Sequence, residues 1–141
     1  MYNTYIDTPD KAVCHLFLHC CFRDGSFTEA EIDAVSAKFV TLGLQKDLNF
    51  NDELLQYRSY RETIGDERQY LQDLIKQINP SNELALFSYC LELSLSDNTL
   101  VFSEEELLKT VGTILQIDAS EQEIIRKTFL QRQVVAANKF F

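Results

Sequence analysis

From Pro9 to Arg23 the chain is apolar on nearly every side, the pattern of a helix enclosed by its neighbours. Thr8-Pro9-Asp10 sets its start, because proline at the first helical position gives up an amide that has no partner within the helix. Asp24-Gly25 sets its end, with Gly25 suited to the left-handed conformation just past a helix. A second helix is predicted from Thr28 to Thr41 or Leu42, with Ile32, Val35, Phe39 and Leu42 at helical spacing and Gly43 as the stop. Two shorter amphipathic stretches follow, Asn51 to Thr63 and Asp66 to Ile78, divided by Gly65, and Asn79-Pro80-Ser81 is the clearest break in the chain. Beyond it, Glu83 to Ser96 is as strongly apolar as the first helix. Ser103 to Leu115 and Ser120 to Lys139 complete a set of seven, while Phe27 and Val101-Phe102 read as turns. The pattern predicts one all-α domain over residues 1–141, with Ala12–Arg23 and Ala85–Ser96 packed centrally.

The two apolar helices belong to a weak internal duplication. AVCHLFLHCCFRD, Ala12 to Asp24, is matched by ALFSYCLELSLSD, Ala85 to Asp97. Phe27-Thr28-Glu29-Ala30-Glu31-Ile32 then pairs with Phe102-Ser103-Glu104-Glu105-Glu106-Leu107, with two extra residues before the second Phe. The repeated unit is an apolar helix, an Asp, a turn, and a new helix opened by Phe-[Ser/Thr]-Glu-x-Glu. Two related halves follow from it.

Part of this motif is explained by helix capping. Thr28 with Glu31, and Ser103 with Glu106, have the spacing in which a hydroxyl and a carboxylate satisfy orphan amides reciprocally, and Ser120 with Glu123 repeats it without a preceding Asp-turn. Asp24 and Asp97 are less easily explained, since each closes a helix C-terminus, where the dipole disfavours an anion by roughly 0.3–1 kcal/mol. An Asx-turn is one compensation. A cation held between Asp and Glu is the other.

At these residues the chain resembles the TerB family of tellurite-resistance proteins. Asp24-Gly25-Ser26-Phe27-Thr28-Glu29-Ala30-Glu31 fits that family's first motif, and Asp97-Asn98 through Glu106 fits its second copy with a longer turn. The resemblance runs from Ala12 to Leu130. It implies a bundle of about seven helices in two pseudo-symmetric halves, working as an interaction or stress-response module rather than an enzyme. It also implies a metal site at Asp24, Glu31, Asp97 and Glu106. Oxygen ligands alone favour a hard divalent cation, Ca²⁺ or Mg²⁺.

Charge narrows the partners. A formal net charge of -9 argues against nucleic acid, because phosphate contacts need clustered Lys and Arg. Arg58, Arg61 and Arg68 do cluster, but acids lie among them, so the stretch reads as a mixed, solvated helix face. The run Cys14–Phe22 is too short to span a membrane, and Met1–Asp7 lacks the regions of a signal peptide. Cytoplasmic location follows, with Cys14, Cys20, Cys21 and Cys90 as reduced, buried thiols. A protein partner is the expectation. The apolar end, Val134 to Phe141, packs back onto the bundle or makes a partner or homodimer contact.

Three rival chemistries fit the sequence less well. Asp24-Gly25 to Glu31 matches the latter half of a calcium EF-hand loop, but Cys20 and Phe22 stand where oxygen ligands belong. His15 and His19, four apart on one helix, are spaced to share a zinc ion, with Cys14 or Cys20 as further donors. The plainer reading is two histidines along one side of a packed helix. No phosphate loop, nucleophile elbow or Ser/His/Asp order is legible, so a metal-dependent enzyme or a His/Cys zinc protein is the alternative to a binding module.

Overall fold

A computed structural model describes residues 2–23, 28–94 and 102–138, with side chains for all of these except 3, 102–104 and 133–138. Its elements are α1 (Tyr2–Tyr5), α2 (Pro9–Phe22), α3 (Glu29–Thr41), α4 (Phe50–Tyr60), α5 (Glu67–Ile78), α6 (Glu83–Ser94), α7 (Phe102–Ile114) and α8 (Ala119–Asn138). Two 3₁₀ turns, Leu44–Lys46 and Arg61–Thr63, continue the chain after α3 and α4. The architecture is all-α, and seven of the helices stand where the apolar periodicity places them. The one-turn α1 is an addition to that reading.

Short polar residues start most helices by taking an orphan amide. Thr8 accepts from Lys11 N–H at 3.2 Å, Thr28 from Glu31 N–H at 3.2 Å, Asn49 from Asp52 N–H at 3.1 Å, Asp66 from Gln69 N–H at 3.1 Å and Asn82 from Ala85 N–H at 3.0 Å. Stops use the left-handed conformation: Gly43 has φ 74° after α3, and Asn79 has φ 48° after α5, one residue ahead of Pro80. Two expectations change or go unmet. The helix α7 begins at Phe102, so Ser103 lies inside its first turn rather than at its cap, and Phe102 is helical rather than part of a turn. Gly25, expected to carry a positive φ, lies outside the described residues.

The repeated units become α2–α3 and α6–α7. Every residue from Cys14 to Phe22 is buried, and α2 packs against α3, α4, α5 and α6. The other apolar helix, α6, buries Leu86, Phe87, Cys90, Leu91, Leu93 and Ser94 and packs against α2, α3, α7 and α8. Leu16, Leu18, Leu71, Leu74 and Leu91 are at most 1% exposed, and each such side chain contributes about 1.5–3 kcal/mol. All four cysteines are buried thiols outside any disulfide. Burial, with the nearby Glu53 charge, pushes the Cys14 thiol up, while the neighbouring Cys90 thiol and burial push Cys20 up, so neither is a reactive thiolate.

Candidate functional site

The most polar part of the interior lies on the face of α2 that looks at α4 and α5. His15 and His19 are one turn apart, so both rings leave the same side of α2. Glu53, Tyr57 and Tyr60 stand at i, i+4 and i+7 on α4, and Glu67 and Tyr70 at i and i+3 on α5, which aims each set at the two rings. The His15 and His19 side chains are 0% and 4% exposed, a depth at which an unpaired imidazole nitrogen is costly.

All four ring nitrogens have partners. His15 Nε2 lies 2.9 Å from Glu53 Oε1, and its Nδ1 lies 2.6 Å from the Tyr60 hydroxyl. His19 Nε2 lies 2.8 Å from Glu67 Oε2, and its Nδ1 lies 2.8 Å from the Tyr57 hydroxyl. A carboxylate only accepts, so each ring donates from Nε2, and in a neutral ring Nδ1 then accepts from a tyrosine O–H. This fixes the direction of a longer chain. Tyr70 donates to Tyr60 at 2.6 Å, Tyr60 donates to His15, and His15 donates to Glu53. Arg23 closes the second branch with two bonds to Glu67, Nε at 2.8 Å and Nη2 at 2.7 Å, while Arg61 donates to the Arg23 carbonyl at 3.0 Å.

Electrostatics agree with this assignment. Burial lowers the His19 pKa, and it outweighs the opposing pull of Glu67, so the ring is held neutral. Burial raises the Glu67 carboxyl, but hydrogen bonds from His19 and Arg23 overcome it and bring the group down to about 2. Burial pushes the phenols of Tyr57, Tyr60 and Tyr70 up, which keeps their protons available as donors. The ring planes of His15 and Tyr60 are stacked at 8°, and His19 meets Tyr70 edge-on at 4.9 Å. Among the described residues, the buried side-chain atom left without a partner is Gln56 Oε1, outside this network.

The expected acidic quartet is only half visible. Asp24 and Asp97 lie outside the described residues. Glu31 is 7% exposed, and its Oε1 accepts from the Thr28 hydroxyl at 2.6 Å, completing a side-chain pair at the start of α3. Glu106 stands on an exposed face of α7, 3.8 Å from Lys109 one turn on. Among the described residues, no three His, Cys, Asp or Glu side chains gather as a metal cluster would. His15 and His19 sit side by side on a packed helix, as the plainer reading had it, but their surroundings are polar. Arg58 and Arg68 are exposed, whereas Arg61 is half-buried and bonded to α2, so the solvated face holds for part of that stretch.

Glu53, Tyr57, Tyr60, Glu67 and Tyr70 were not singled out from the sequence. The signal was present in their spacing: tyrosines and glutamates occupy the inward positions of two amphipathic helices, where Leu or Phe would serve if the facing surface were apolar. Two histidines on the central helix are the groups that need them.

An all-α bundle built around two repeated apolar helices, α2 and α6, defines a small helical-domain class. The family model described as Tellurite resistance protein TerB matches residues 10–127, and the chain belongs to that family. No curated protein and no solved structure matches it.

Proposed function

We propose that this TerB-family chain is a non-enzymatic binding module that recruits a protein partner and holds a hard divalent cation on the acidic residues Asp24, Glu31, Asp97 and Glu106. One observation carries the non-enzymatic reading: the interior groups with catalytic potential are each other's hydrogen-bond partners. Two cavities of about 460 Å³ lie elsewhere, one between α6, α7 and α8 over Leu91 and Leu108, the other beside Tyr2 and Asp73. Neither is lined by His15, His19, Glu53 or Glu67. A zinc ion held by both histidines would have to displace one hydrogen-bond partner from each ring.

Of the two described acids, Glu31 is oriented by the Thr28 hydroxyl, and Glu106 lies 3.8 Å from Lys109. The charge of -9 supports cations or basic partners over nucleic acid. No helix among the described residues is long and apolar enough to cross a membrane, and four buried thiols outside any disulfide support a reducing, cytoplasmic setting. Thermal melts with and without millimolar Ca²⁺, Mg²⁺ or Mn²⁺ test the cation, which stabilises the folded chain by mass action. A shift in wild type that Asp24→Asn and Asp97→Asn abolish is expected. Equal behaviour of wild type and variants would remove the cation from the account.

A further inference from the structure

The segment before α2 is seated in a groove. Tyr2, Tyr5 and Ile6 fall on one side of the single turn α1, at i, i+3 and i+4. The Tyr2 ring meets Tyr70 edge-on at 4.8 Å and lies 6.1 Å from Tyr60, and its hydroxyl donates to the Asp73 carboxylate. Tyr5 stacks on Tyr60 at 5.9 Å with planes 18° apart, and Ile6 is 9% exposed. Lys11 ties the segment to α2 through the Tyr5 carbonyl at 3.3 Å. The Tyr2 phenol is raised to about 12 by burial and by its bond to Asp73, so it stays a donor.

A four-residue helix cannot hold itself together in water, because nucleation costs more than one turn returns. Its order comes from the groove. The groove belongs to α4 and α5, inside the matched residues 10–127, whereas the strap lies before them. Anchors at i, i+3 and i+4 against an aromatic floor, with one polar contact at the rim, are how a short amphipathic helix is recognised. The groove also exceeds its occupant, since a cavity of about 460 Å³ continues beside Tyr2 and Ile6 along Asp73, Leu74 and Gln77.

We propose that the α4–α5 groove over Tyr60 and Tyr70 is a peptide-docking site, occupied in cis by residues 2–6 and opened when a partner's helical segment displaces them. The partner segment carries two aromatic anchors three residues apart, an aliphatic one at the next position, and a hydroxyl for Asp73. This rests on the binding-module reading and names its surface. A tethered strap competes at an effective concentration on the order of millimolar, so it sets a threshold that weak ligands do not pass.

The test uses the full chain and a fluorescent peptide of residues 1–8 as the probe, followed by anisotropy. Full-length Tyr2→Ala/Tyr5→Ala should bind the peptide about tenfold more tightly than wild type, because its own strap no longer competes. Adding Asp73→Asn should weaken that binding severalfold, and a peptide with both tyrosines replaced by alanine should not bind. Tyr2→Phe, which removes only the hydroxyl, gives the intermediate result if the double variant folds poorly. Equal binding by wild type and strap variants, or binding indifferent to Asp73, overturns the proposal. A wild-type dimer that the strap variant loses would place the strap in a second copy and overturn the cis arrangement. A chain whose melt responds to cation but which takes no peptide loses the groove alone; one that does neither loses the module as well.

Discussion

The two copies of the apolar helix differ most where they align best. His15 of α2 corresponds to Ser88 of α6, and His19 to Glu92. In α2 these positions are sealed beneath α4 and α5 and tied to Glu53, Tyr57, Tyr60 and Glu67. In α6 they reach the surface: Ser88 is half-buried, and the Glu92 side chain is 45% exposed with Lys38 of α3 at 3.1 Å. The first unit is followed by two helices that return over α2, the second by α8 alone. A duplicated helix thus holds polar groups at the same register in both halves. In α2 the pair is two histidines inside a closed hydrogen-bond network, and in α6 it is a half-buried serine and an exposed glutamate. The buried pair should matter for stability, and the exposed pair should hardly matter.

The largest contrast is between Glu53 and Glu92. Glu53→Ala strands the His15 Nε2 proton in the interior and should cost about 2–4 kcal/mol in denaturant melts, whereas Glu92→Ala removes a half-exposed ion pair and should stay within about 0.5 kcal/mol. Comparable losses at both positions would erase the distinction drawn here.

Acid should reveal the same asymmetry. His19 is lowered in the folded chain, so the unfolded chain takes up its proton first, and stability falls as pH drops below the ordinary histidine range near 6.5. Glu67, held at about 2 against an ordinary 4.5, adds a further loss as pH falls from about 4.5 toward 2. Melting points taken from pH 8 to 4 should decline along this course, and His19→Gln should flatten the upper part. A flat profile in wild type through pH 6 would contradict the buried neutral ring.

Next in size is the Tyr60 hydroxyl, which joins Tyr70 to His15. Tyr60→Phe should cost about 1–3 kcal/mol by leaving the His15 Nδ1 without a donor, and Ser88→Ala, at the exposed end of the comparison, close to nothing. The capping residues extend the contrast to the following helices. Thr28→Ala should cost about 1 kcal/mol, since Thr28 takes the Glu31 amide, while Ser103→Ala, inside the first turn of α7, should cost less than half of that.

The sequence displayed the helices because their apolar spacing and their caps are local: Thr8, Thr28, Asp66 and the Gly43 and Asn79 stops all act within a few residues. The polar network was hidden because the partners of its histidines lie 38–48 residues away in sequence, as with His15 and Glu53 or His19 and Glu67. Nothing local says that Tyr57 faces a histidine rather than a leucine. The acidic quartet is legible because its motif is local, with Thr28 and Glu31 three residues apart in sequence and paired in the structure. The one-turn α1 was illegible for a related reason, since its order derives from Tyr60 and Tyr70, far along the chain.

The central claim is that the α2 histidines are closed into a structural network by α4 and α5, with Nε2 of each ring donating to a carboxylate. Ring ¹⁵N chemical shifts of the native chain test this most directly, read through a pH titration. The account predicts an Nε2-protonated, neutral His19 ring that titrates below an ordinary histidine, with the Tyr57 hydroxyl proton protected from exchange beside it. A His19 ring that is protonated near neutral pH, or that carries its proton on Nδ1, would contradict it.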